Sequence, residues 1–202
     1  GYIPRNPAEG INVKPREWKD KRIFSVEEQR RFEKCIREDM KRRPDSSIFL
    51  LLLYTGMRIG EALGLQISDI DFNAREIHIN RTVGMITKES GHGNRFYVST
   101  PKTKAGKRVI PMSDTVKELL AGQIEYRNRL VDGMRPIWEE TGKSTEYADA
   151  GYIYITDGGE VINKTNLHRK LITFYKKTNI STRVSLHGMS LTFATRWLEA
   201  GL

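Results

Sequence analysis

Three short stretches, far apart in the chain, hold residues able to handle a phosphate. In TGMRIGEALGL (55–65), Arg58 and Glu61 stand three residues apart, the spacing that sets two side chains on one helix face. A guanidinium held by an adjacent carboxylate is a rigid fork that fits two oxygens of one phosphate. The plainer reading of that pair is a surface ion pair of little energetic weight. In TPKTKAGKRVIPM (100–112), Lys102, Lys104, Lys107 and Arg108 crowd a turn between two strands. Cations there could contact phosphates, or one could donate a proton; for most of the four, a solvated hairpin tip is the simpler account. The closing stretch SLHGMSLTFATRWLEAGL (185–202) opens a helix with His187 and carries Ser190 and Leu191 one turn on. A lone histidine in such a place is more often a cap or a core residue than a catalyst.

The elements that must position these residues are legible from periodicity and caps. Residues 1–22, with three prolines and two glycines, read as a linker or arm leading from an upstream domain. A capping box, Ser25 with Glu28, opens a helix whose Phe32, Cys35 and Ile36 recur at helical spacing. PDSSIFLLLLYTG is a second, buried helix that Gly56 stops. MRIGEALGLQISDIDF gives a third, short helix with Ile59, Ala62 and Leu63 turned inward, then a turn. REIHINRTV, NRFYVST and KRVIPM alternate as strands and predict one small antiparallel sheet. Helix returns from Ser113, followed by a polar insert at about 132–150, a short strand GYIYIT, and a helix capped by Asn163. The last helix is expected from about His187 to Ala200. The class is α+β: mostly helical, with a small antiparallel β-sheet inserted between helices.

Composition narrows the partners. At 202 residues with 38% hydrophobic and 29% charged residues, the chain can bury a sizeable core and matches neither a disordered nor a membrane protein. The N-terminal GYIPRNPAEG lacks the layout of a signal peptide. A single cysteine, Cys35, cannot form an internal disulfide and fits a reducing cytosol; its helical setting reads as a structural thiol. A formal charge of +9 favours a polyanion, nucleic acid first. A basic RNA-binding domain ranks last, because aromatics are 9% and no stacking motif stands out.

Taken together and in order, the three stretches resemble the tyrosine recombinases, most of all the phage-type and conjugative-transposon integrases. LLLYTGMRIGEALGLQISDIDF looks like that family's first arginine box. TPKTKAGKRVIPM looks like its β-hairpin lysine segment, and HGMSLTFATRWLEAG resembles its H-x-x-R-H-T-F-A-T helix. NPAEGINVKP also resembles the linker that joins a core-binding domain to the catalytic domain, which would then span 23–202.

The resemblance implies a site-specific enzyme that cuts and rejoins duplex DNA through a 3′-phosphotyrosyl link, for integration or excision of a mobile element. It implies no nucleotide cofactor and no metal, because the covalent intermediate retains the bond energy and arginines hold the phosphate charge. It further implies a homo-oligomer on DNA, a synaptic tetramer, in the bacterial cytoplasm. Matched position by position, Arg58 is the first catalytic arginine, with Glu61 orienting it. Lys102 is the lysine that protonates the leaving oxygen, with Lys104 as its rival, and His187 is the histidine that assists proton transfer. Lys104, Lys107 and Arg108 are the DNA contacts. Two positions depart from the pattern. Ser190 stands where the second arginine is expected, with Leu191 after it. The nucleophile tyrosine, expected on a helix beyond LEAG, is absent from these 202 residues, since all eight tyrosines precede His187. A mobile or exchanged tyrosine segment, a truncated chain, and a relative that binds DNA without cutting it all stay open.

Overall fold

The computed structural model describes residues 22–87, 94–100, 107–181 and 183–201. The Ser25–Glu28 capping box forms as the sequence predicts: the Ser25 hydroxyl accepts from the Glu28 amide at 3.1 Å and Glu28 Oε2 accepts from the Ser25 amide at 2.9 Å. It opens helix α1 (Val26–Met40), which buries Phe32 and Ile36. A 3-10 turn (Pro44–Ser46) leads into α2 (Ser47–Thr55), in which every residue but Tyr54 is buried. A helix apolar on all sides is stable only when surrounded, and α2 is packed among α1, the last helix and the long helix α4 (Asp114–Glu140). Phe32, Phe49 and Phe174 meet edge to face at centroid separations of 5.4–6.4 Å, joining α1, α2 and α6 (Lys164–Thr178).

Helix α3 (Ile59–Gly64) buries Ile59, Ala62 and Leu63 as expected. It sits so close to the strand Thr82–Thr87 that a Cβ on Gly60 would come within 2.9 Å of the Val83 carbonyl oxygen. The strands β1 (Ile70–Asp71), β2 (Glu76–Ile79), β3 (Thr82–Thr87), β4 (Asn94–Ser99) and β5 (Arg108–Pro111) are all antiparallel, but the expected single sheet is two. One has the order β1-β2-β5, with Ile77 opposite Ile110; the other is β3-β4, with Val83 opposite Val98. The break falls at Asn80–Arg81. Both side chains turn to the buried carboxylate of Asp69: Asn80 Nδ2 donates to Oδ1 at 2.8 Å and Arg81 forms an ion pair with Oδ2. That anchor redirects the chain, so β3 leaves the first sheet and pairs with β4 instead.

Two further differences lie beyond the strands. Helix α4 runs to Glu140, through Pro136 and well into the expected polar insert. Buried Val131 and Trp138 extend its apolar stripe, and the Trp138 indole donates to the Asp157 carbonyl at 2.9 Å, so burial outweighs the proline. The insert's remainder holds a short helix α5 (Glu146–Asp149). GYIYIT makes isolated bridges, not a strand: Tyr152, Ile153, Tyr154 and Ile155 are all buried, and Ile153 donates to the Leu65 carbonyl at 3.0 Å. A run buried on every side carries no two-residue period to recognise. The last helix, α7 (Leu186–Glu199), is capped by Ser185, whose hydroxyl accepts from the Gly188 amide at 3.0 Å. Among the described residues no helix is long and apolar enough to cross a membrane.

Candidate active site

Arg58 is not inside a helix but at its N-cap, with extended backbone (φ −76°, ψ 150°). Glu61, three residues on, reaches back so that its Oε2 accepts from the Arg58 backbone amide at 2.7 Å. This is half of a capping box: the spacing read as a shared helix face serves the helix start instead. Glu61 Oε1 also accepts from Arg58 Nη1 at 3.0 Å. The carboxylate is buried, whereas the Arg58 side chain is 68% exposed, so the guanidinium is anchored at one nitrogen and open to solvent elsewhere.

A second guanidinium completes the cluster. Arg108 opens β5 and donates from Nη1 to Glu61 Oε1 at 2.9 Å and from Nη2 to Oε2 at 2.7 Å. Glu61 therefore accepts four bonds from two arginines, which fills a carboxylate's acceptor capacity. Burial alone would raise the Glu61 pKa. The Arg108 fork and the Arg58 amide overcome that and hold the carboxyl below the ordinary glutamate range. Arg108 is correspondingly held more firmly as a cation by Glu61.

The last helix is brought to the same place. The Ser190 hydroxyl donates to the Met57 carbonyl at 2.6 Å across 133 residues, which sets position 190 beside the peptide that leads into Arg58. The turn between α2 and α3 permits this approach. Gly56 holds φ at +64°, where only glycine is unstrained, and a Cβ there would stand 2.5 Å from the Phe193 ring. His187, one turn before Ser190 in α7, is exposed. From the far side the chain entry clamps α7: Arg196 Nη2 donates to the Phe24 carbonyl at 2.6 Å, and the Phe24 amide donates to Thr192 Oγ1 at 3.4 Å.

The structure thus gathers Arg58, Glu61, Arg108 and Ser190 at one turn, with His187 on the helix that delivers Ser190. Lys107 is exposed at the foot of β5. Lys102 and Lys104 lie outside the described residues, as does nearly all of the 1–22 arm. Sequence reasoning missed the Arg108–Glu61 fork, reading Arg108 as a phosphate contact. A signal was present: Arg108 and Ile110 share one face of β5, and Ile110 is buried, so a strand's two-residue period turns Arg108 inward. Tyr154 and Tyr175, two of the eight tyrosines that precede His187, are both engaged. Tyr154 is buried and shares a hydrogen bond with Ser47 at 3.2 Å, and the Tyr175 hydroxyl donates to the Val184 carbonyl. Burial pushes both phenols well above their usual pKa. Among the described residues no cluster of three or more His, Cys, Asp or Glu could hold a metal ion.

Comparison with known proteins identifies the family and the fold. The profile described as "Phage integrase family" matches residues 23–202. A tyrosine recombinase XerC-like protein of Caldanaerobacter subterraneus is 30% identical over 214 aligned positions, covering 100% of this chain and 51% of the relative. The transposase of transposon Tn916 from Enterococcus faecalis is 25% identical, covering 90% of this chain and 42% of that protein. The chain thus spans about half the length of the curated relatives it matches. Among solved structures, the Tn1549 transposon integrase in complex with transposon right end DNA superposes with a TM-score of 0.70 at 24% identity, covering 94% of this chain and 57% of that one. XerA recombinase follows the same fold with a TM-score of 0.58 at 22% identity, over 90% of this chain and 52% of that one.

Proposed function

Because the chain belongs to the phage integrase family, the tyrosine recombinases, we propose that it is the catalytic domain of a site-specific DNA recombinase that integrates or excises a mobile element. The observation that carries this reading is the Ser190–Met57 bond, which joins the last helix to the arginine turn across 133 residues. Two of the three stretches that resemble the family's site thereby meet at one turn, and Arg108 brings the foot of the third to it.

In this reading a tyrosine hydroxyl attacks the phosphorus of a backbone diester. The new phosphorus–oxygen bond replaces the bond to the 5′-oxygen, which leaves as a hydroxyl after taking up a proton. Arg58 holds non-bridging oxygens as charge builds on them, with Glu61 fixing its direction. His187 assists proton transfer at the attacking oxygen, and Lys102, or Lys104, supplies the proton to the leaving one. The reverse attack by a 5′-hydroxyl of a second duplex rejoins the strands, so no external energy source enters. The partner is double-stranded DNA, assembled by a homo-oligomer of the synaptic-tetramer kind in the bacterial cytoplasm. Residues 1–22 would serve as the linker or arm from an upstream core-binding domain.

Ser190 supports a second reading, a relative that binds duplex without cutting it, since a hydroxyl committed to the Met57 carbonyl supplies no cation to a phosphate. The test is a suicide duplex, nicked so that the cleaved fragment diffuses away, offered to the full-length protein. A covalent protein–DNA adduct on denaturing gels, lost in Arg58→Ala, is the expected outcome. Absence of an adduct both from the natural protein and from its Ser190→Arg variant would leave the binding module as the function.

A further inference from the structure

Arg108 stands in the hairpin segment whose basic residues read as DNA contacts, yet its guanidinium faces the protein. Its side chain is 34% exposed, half that of Arg58 at 68%, and both of its terminal nitrogens bond the buried Glu61. A phosphate contact needs those same nitrogens aimed outward. Glu61 in turn holds Arg58 twice, at the backbone amide (2.7 Å) and at Nη1 (3.0 Å). One carboxylate left alone between an amide and a flexible exposed arginine could rotate about its last side-chain bonds. Clamped by a two-pronged fork from a different element, it has one orientation.

We propose that Arg108 is a positioning residue: through Glu61 it fixes the direction in which Arg58 presents its guanidinium, and it makes no DNA contact of its own. β5, to which it belongs, is bonded to β2 along four residue pairs, so the fork is fixed in the body of the domain. The arrangement also explains why the buried site tolerates two guanidinium groups around one carboxylate. The Arg108 charge meets that of Glu61 at close range, and the Arg58 charge remains at the surface, available to an anion. A lysine at 108 would supply one point donor where the fork supplies two parallel ones, so charge alone would not reproduce the arrangement.

This inference rests on reading Arg58 as a phosphate-holding arginine, and its test separates the two. In this chain, the salt dependence of duplex affinity counts neutralised phosphates, and hydrogen exchange at the Arg58 amide reports the Glu61 cap. For Arg108→Met the expected result is an unchanged salt slope together with about tenfold faster Arg58 amide exchange. Arg108→Lys, which keeps the charge and secures the fold should the methionine variant unfold, is expected to exchange about threefold faster, again with the slope unchanged. Adding Glu61→Gln to either variant should accelerate exchange by less than the product of the separate effects, because the residues act as one unit. A slope that falls by about one in Arg108→Met, or an Arg58 amide that exchanges at its original rate in the Arg108 variants, overturns the inference. Arg58→Ala in the same titration tests the underlying reading: a slope unchanged there removes Arg58 from the phosphate while leaving the Arg108 result to stand or fall by itself.

Discussion

At the scale of single residues, Glu61 is the hub and its charge state decides the behaviour of the turn. Its carboxyl is held below the ordinary glutamate range, so ionised Glu61 favours the fold at neutral pH. The sign follows directly. A group whose folded pKa is depressed contributes its stability above the unfolded value, about 4.3 for glutamate, and loses it as pH falls through the folded value. Urea midpoints for natural protein and Glu61→Gln should therefore converge as pH falls from neutral through the folded value, with the variant weaker only at the higher pH. A gap that persists unchanged into acid would show that Glu61 matters through its shape and not its charge. Ser190 makes a second residue-scale prediction. Its short side chain reaches the Met57 carbonyl, beside the peptide that leads into Arg58, and an arginine there would add a cation at that turn. Ser190→Arg in the full-length protein is expected to raise the rate of adduct formation on a suicide duplex by two decades or more, the order of about 3 kcal/mol that one charge-assisted contact contributes to a transition state.

At the scale of elements, the α2–α3 turn and α7 are shaped for each other. Gly56 satisfies two demands at once, a left-handed backbone and room for the Phe193 ring. Gly56→Ala is expected to destabilise the domain by about 2 kcal/mol, from the left-handed strain together with displacement of the ring. Phe193→Ala relieves only the second part, so the double variant should be more stable than the sum of the two single losses implies. Equilibrium denaturation of the four proteins measures this, and strict additivity would mean that glycine is needed for its φ alone. This level also shows where the sequence was readable. The capping box at Ser25, the buried α2, the Gly56 stop and the α7 start follow rules that act within one turn of chain, and all appear in the structure. The division into two sheets, the length of α4 through Pro136 and the bridge-only state of GYIYIT were not readable in this way. Each depends on partners distant in sequence: Asp69 drawing in Asn80 and Arg81, Asp157 receiving the Trp138 indole, and Leu65 pairing with Ile153.

For the molecule as a whole, the candidate site was readable as residue types and not as an arrangement. Arg58 and Glu61 could be paired from their spacing, but nothing local says that Arg108 belongs to Glu61 or that Ser190 reaches Met57, because those bonds are made by the packing of β5 and α7. The net charge of +9 is likewise a property of the whole chain, and it supports a prediction separable from catalysis. A cleavage site held by few anchored groups gives little affinity; the excess of exposed cations must supply most of it by releasing counterions from the duplex. Neutralising six phosphates would give a log–log slope near −5, so raising salt from 50 to 200 mM should weaken duplex binding by roughly a thousandfold. Arg196, whose guanidinium is engaged by Phe24 and Glu199, contributes nothing to that count despite its charge. Arg196→Met is thus expected to leave the slope unchanged while lowering the unfolding midpoint, because the clamp between the chain entry and α7 is lost. Binding titrations at four or five salt concentrations, set beside a denaturation curve, measure both quantities. A slope near zero for the natural protein would remove the phosphate backbone as the partner and with it the recombinase reading.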